Sequence, residues 1–121
     1  MKIEISNGEL VDKWTILGIK LEFITEGVAA QNIQREYSLL SVAVEHIPHL
    51  NGDHVRQLMD VNLALWKVEE ILRTAEKDQR FDAAFIENAR AVYRLNDERA
   101  RIKRQINEET KSSLVEEKSY D

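Results

Sequence analysis

Residues Phe81 to Asn107, FDAAFIENARAVYRLNDERARIKRQIN, read as one long helix with neither Gly nor Pro inside it. One face carries Phe85, Ala89, Val92, Leu95, Ile102 and Ile106. Asn96 and Arg99 interrupt that face at mid-length, with Tyr93 one turn earlier. Polar groups on a packing face need partners from neighbouring helices, so a bundle has to be arranged around them.

Working back towards the N-terminus, Leu58, Val61, Leu65, Val68, Leu72 and Ala75 form a second helical stripe. It belongs to a helix expected over about 53–79. Met59, Leu63, Trp66 and Ile71 widen its apolar surface, which implies more than one neighbour. Two shorter helices precede it. The first is expected over about 7–26, opened by a Ser6-x-x-Glu9 capping box and stopped at Gly27. Its apolar residues Leu10, Trp14, Leu17, Leu21 and Ile24 follow the alternating four-and-three spacing of a packing seam. Gly18 lies mid-helix and reads either as a tolerated exposed glycine or as a close approach of a neighbour. The second helix is expected over about 29–47, with Ile33, Tyr37, Leu40, Val44 and Ile47 as its stripe and Pro48 at its end. The long C-terminal helix is expected over about 83–110, capped by Asp82. Lys2 to Ile5 alternate like a short extended segment, and residues 111–121 form a tail in which Leu114, Val115 and Tyr120 can dock on the bundle.

The expected architecture is all-α: one domain, an antiparallel four-helix bundle with two shorter and two longer helices. At 1.5 Å per residue the short helices span roughly 28 Å and the long ones roughly 40 Å. About 12 Å of the long hairpin is then left to bend, to receive the termini or to pair with a second subunit. In an up-down bundle the start of the first helix and the end of the last lie together. The termini are therefore expected to meet, within one subunit or across a homodimer, and the hairpin to be covered in the process.

Composition narrows the function. The chain has 121 residues, 43 % hydrophobic, 32 % charged, with a net charge of -5. That charge argues against nucleic acid or an anionic membrane as partner. No Cys is present, so thiolate metal sites and disulfides are excluded, which suits a cytoplasmic protein. No signal-like leader and no apolar run of spanning length is visible.

Candidate site residues fall into three groups. Tyr93, Asn96, Asp97, Arg99 and Lys103 lie on the long helix, where six basic residues between Arg90 and Arg104 face only Asp97 and Glu98. Such a cluster suits a phosphate or carboxylate, or else is a solvated face with one buried Asn–Arg contact that fixes register. Asp12, Lys13, Thr15 and Lys20 on the first helix, with Glu69, Glu70 and Arg73 on the third, form the second group. Acidic helices can hold Mg²⁺ over a nucleotide phosphate, but the repeated E-x-x-E and E-x-x-D pattern of such enzymes is missing, and Glu69 with Arg73 also reads as an i, i+4 ion pair. His46, His49 and His54 cluster around a turn, where solvated histidines are common; Trp14 and Trp66 sit on apolar stripes and read as core. No catalytic set, metal site or cofactor-binding motif is recognisable.

The stretches GELVDKWTILGIKLE, LALWKVEEILR, ARAVYRLNDERARIKRQIN and LVEEKSY resemble a small family of bacterial and phage proteins without an assigned activity, some encoded among surface-polysaccharide or lipopolysaccharide genes. Gly18 and Trp14 depart from the pattern, where Glu and a smaller aliphatic residue, respectively, are expected. The resemblance implies a helical protein and a setting in glycan or nucleotide-sugar chemistry; it supplies no catalytic residues. The resulting expectation is a non-enzymatic binding or assembly module, a homodimer, holding a small anion or a protein partner at the Tyr93–Arg99 region. The alternative is a small metal-dependent enzyme on a phosphorylated or nucleotide-linked sugar, with Glu69, Glu70 and Asp97 as working groups.

Overall fold

A computed structural model describes residues 1–115. It contains four helices: α1 (Asn7–Phe23), α2 (Gly27–Glu45), α3 (Gly52–Lys77) and α4 (Ala83–Glu109). No strand occurs among the described residues. Ser6 and Asp82 cap as expected, accepting from the backbone N–H of Glu9 and Phe85, and Asn51 caps α3 by accepting from Asp53 N–H. The first connection differs from expectation. α1 stops at Phe23 because Ile24 is extended, and Gly27 opens α2 instead of closing α1. Its φ of 84° makes the reversal, in a region where side chains are strained.

The helices run up and down in turn, but they do not form a square. α1 meets all three other helices; α2 meets α1 alone, and α3 pairs along α4. The core is accordingly built by α1, α3 and α4, where Val11, Leu58, Ile102 and Ile106 are fully buried. Ile47 and Leu50, from the segment that leads into α3, close it together with Val55 and Val61.

α1 uses two different faces. The seam expected from the sequence turns towards α2: Trp14 stacks on Tyr37 at 5.8 Å and its Nε1 donates to Ser41 Oγ. Gly18 belongs to this contact as well, since a Cβ there would come within 3.4 Å of the Tyr37 ring. That is an ordinary van der Waals distance, so close approach does not by itself require a glycine there. The more deeply buried face of α1 carries Gly8, Val11, Asp12, Thr15 and Ile19 and meets α3 and α4.

The termini meet, as expected, but through side chains and not through a strand ladder. Asn7 N–H donates to Ser112 Oγ, Asn7 Nδ2 to Thr110 Oγ1, and Ser113 Oγ to Glu4 Oε1. Tyr120 and most of the LVEEKSY stretch lie outside the described residues. The meeting does not cover the long hairpin. It lies at the end of α4 where Glu109 approaches His54 at the start of α3, whereas the hairpin turn at 78–82 lies at the opposite end. α1, roughly 25 Å long, stops well short of the roughly 40 Å span of α4, and its last residue, Phe23, stacks on Trp66 part-way up α3.

The glycines give a test of this arrangement. A Cβ on Gly8 would stand 2.4 Å from the Lys103 carbonyl oxygen, and that atom is backbone. Gly8→Ala is expected to destabilise by about 1–3 kcal/mol through overpacking. Gly27→Ala should cost about 1 kcal/mol for its backbone conformation alone. Gly52→Ala, which meets open space, should be neutral or raise stability by about 0.5 kcal/mol. Urea unfolding of the three variants reads the order directly.

Candidate functional site

The polar residues that interrupt the apolar stripes converge on one seam between α1 and α4, with α3 closing it. Its centre is Asp12, which is 0 % exposed. A buried carboxylate requires charge pairing and hydrogen bonds together, and Asp12 has both. Arg99 grips it with both arms of its fork, Nε to Oδ1 at 2.8 Å and Nη2 to Oδ2 at 2.5 Å. Asn62 of α3 donates through Nδ2 to Asp12 Oδ1 and to Thr15 Oγ1, both at 2.9 Å. Thr15 Oγ1 in turn donates to the Asp12 carbonyl oxygen.

The seam continues from there towards the chain ends. Lys103 Nζ, one turn after Arg99, lies 2.7 Å from Glu9 Oε2. Asn107, one further turn on, accepts from Gly8 N–H at 2.6 Å. The first turn of α1 is thereby supplied. Its N–H groups at Asn7, Gly8 and Glu9 have no partner within the helix by geometry. Here Asn7 N–H donates to Ser112 Oγ, Gly8 N–H to Asn107 Oδ1 and Glu9 N–H to Ser6 Oγ, and Leu10 N–H makes the first helical bond, to the Ser6 carbonyl oxygen. The expected capping box is thus present on its Ser6 side, while the Glu9 carboxylate reaches across to α4.

The structure separates the residues singled out in the sequence. Asp12, Thr15, Arg99 and Lys103 come together. Asn96 is half-buried higher on α4, so the Asn–Arg contact expected on that helix is replaced by Asp12–Arg99. Tyr93, Asp97, Lys13, Glu69, Glu70 and Arg73 are exposed, outside the seam. Among the described residues no three of His, Asp and Glu gather as metal ligands. His46 Nδ1 approaches the Val42 carbonyl oxygen, exposed His49 adopts a φ of 62°, and His54 Nδ1 lies 2.7 Å from Glu109 Oε2. That last approach becomes a hydrogen bond when Nδ1 carries the proton.

On its outer face, α4 carries surface pairs. Arg101, hydrogen-bonded to Glu98, holds the Glu98 carboxyl below its ordinary range against the opposing effect of burial. A folded-state value lowered in this way favours the folded chain above the ordinary glutamate range, and the benefit fades as pH falls through the lowered value. The pair is solvent-exposed, so the effect is small.

A model of a family of unknown function, DUF6165, matches residues 1–121. The chain belongs to that family. No curated protein and no solved structure matches the chain. Nor is any helix among the described residues long and apolar enough to cross a membrane.

Asn62 and Asn107 were missed in the sequence, and Glu9 was read only as a cap. Asn62 had a visible signal, since it sits between Leu58 and Leu65 at helical spacing on an otherwise apolar stripe. Asn107 stands four residues after Lys103 and eight after Arg99, on the same face.

Removing one member of this network strands the others. Asp12→Ala is expected to cost about 3 kcal/mol, because Arg99 and Asn62 lose their shared acceptor. Replacing the set together, with Asp12→Leu, Asn62→Leu and Arg99→Met, should restore most of that loss. Chemical denaturation of the single and triple variants measures both; a triple variant less stable than Asp12→Ala would contradict stranded partners as the source of the loss.

Proposed function

We propose that this chain is a non-catalytic helical assembly module that presents the projecting end of its α3–α4 hairpin to a protein partner. The observation that carries this reading is the course of one stripe on α4. Thr110, Asn107, Lys103 and Ala100 occupy it at alternating spacings of three and four, and α1 covers its lower part. The same spacing continues through Asn96, Tyr93, Ala89 and Ile86. Over that part the face is left open, and Tyr93 is 54 % and Ile86 58 % exposed. A helix face with packing periodicity and no covering helix is the kind of surface that takes a partner.

The same geometry weighs against the anion-holding form of the reading at Arg99 and Lys103. The guanidinium of Arg99 is gripped by the Asp12 carboxylate, and the ammonium of Lys103 by Glu9. An incoming anion would have to displace carboxylates that already satisfy them. For the sugar-phosphate enzyme, the exposed Glu69, Glu70 and Asp97 offer no gathered set of ligands.

Site-specific photo-crosslinking in the native host tests the proposal. A photoreactive residue at Tyr93 or Ile86 is expected to give discrete protein adducts, and one at exposed Glu36 on α2 is expected to give none. Equal or absent labelling at all three positions would remove the hairpin as an interaction surface.

A further inference from the structure

The exposed end of the α4 stripe has features that select among helical partners. It carries no charge from Ile86 to Ala100: Ile86, Ala89, Tyr93, Asn96 and Ala100. Flanking the stripe on one side, each one residue beyond it and seven apart, stand Arg90 and Asp97, both exposed and opposite in sign. The segment Ala83–Asp97 balances Arg90 and Arg94 against Glu87 and Asp97, although the whole chain is at -5. A second copy therefore meets little like-charge repulsion here. Lower on the same stripe, α1 already packs antiparallel to α4, with the Asp12–Arg99 and Glu9–Lys103 pairs crossing the seam. The stripe is thus suited to an antiparallel helix.

From these features we infer that two copies of the chain pair α4 against α4 in antiparallel fashion, about a two-fold axis near Tyr93 and Arg94. This rests on the hairpin reading above and names its partner. Antiparallel pairing about that point sets Arg90 of one copy opposite Asp97 of the other, and the two-fold repeats the contact on the same interface. The same axis sets Asn96 of one copy level with Ala91 of the other. Ala89 lets the backbones approach, and the two Tyr93 rings cover the centre. Glu87 lies 3.2 Å from Arg94 and 3.9 Å from Arg90, so the Arg90 contact is the looser of the two and the more readily given to a partner.

Sedimentation equilibrium of the full-length chain tests this pairing. The expected mass is twice the 14.1 kDa of one copy, falling to one copy on dilution. Arg90→Glu and Asp97→Arg should each raise the dissociation constant about tenfold or more, since each places like charges together twice. The combined Arg90→Glu, Asp97→Arg variant should recover the dimer. Circular dichroism of each variant should stay unchanged, because both side chains are exposed. A wild-type chain that remains at 14.1 kDa at high concentration, single variants that still dimerise, or a double variant that stays monomeric would each overturn the pairing. If crosslinks from Tyr93 reach a different protein while the purified chain stays monomeric, the dimer is wrong and the hairpin surface stands. Absence of both removes the two proposals together.

Discussion

A single buried carboxylate sets the terms for this fold. Asp12 lies in the most enclosed part of α1, and an ionised group there is tolerable only while Arg99 and Asn62 are both in place. Those partners come from α4 and α3. Sliding α1 along the hairpin by one turn would set Asp12 against an apolar neighbour and leave Arg99 without its carboxylate. Apolar contacts such as Val11 with Leu58 and Ile102 tolerate small shifts in register. The fork of Arg99 does not, because its two donors match the two carboxylate oxygens in one orientation.

Around that constraint, α1 divides its surface by chemistry. Its deeper face combines apolar residues with the polar seam and fixes the position of α1 on the α3–α4 hairpin. Its outer face is apolar and aromatic and holds α2, through Trp14 stacked on Tyr37 and the Trp14–Ser41 hydrogen bond. α2 has no other helix to lean on. Its exposed Val28, Leu39 and Val42 follow from that position at the edge. α2 also contributes one buried residue where each of the other helices contributes at least four, which places it among the less firmly held parts of the chain.

Much of the fold was legible in the sequence because helix periodicity and capping are local. Ser6 and Asp82 marked their helix starts correctly, and the stripes of α3 and α4, apart from exposed Ala89, were the packed ones. What the sequence concealed was which face of α1 goes deepest. Leu10, Trp14, Leu17 and Leu21 make the more regular apolar pattern, while the deeper face is broken by Gly8, Asp12 and Thr15. Periodicity scores polarity at one residue and cannot register that a polar group has a partner 87 positions away. For the same reason Arg99 and Lys103 were recognisable as unusual, but their positive charge suggested an external anion when the anions were Asp12 and Glu9 of the same chain. The length of the long helices was read correctly, while the described residues of the two termini meet at the end of the hairpin away from its turn.

The first turn of α1 brings a constraint of timing. The acceptors for Asn7 and Gly8 are Ser112 and Asn107, separated from them by 105 and 99 positions. As the chain emerges from the ribosome, α3 and α4 need only a short turn to find each other, whereas α1 has to wait, with two backbone donors turned to water, until the last part of α4 has been made. Closing so long a loop is entropically costly and slow compared with forming a hairpin between neighbours. The seam that finally aligns the bundle is therefore the last part of it that synthesis allows to form.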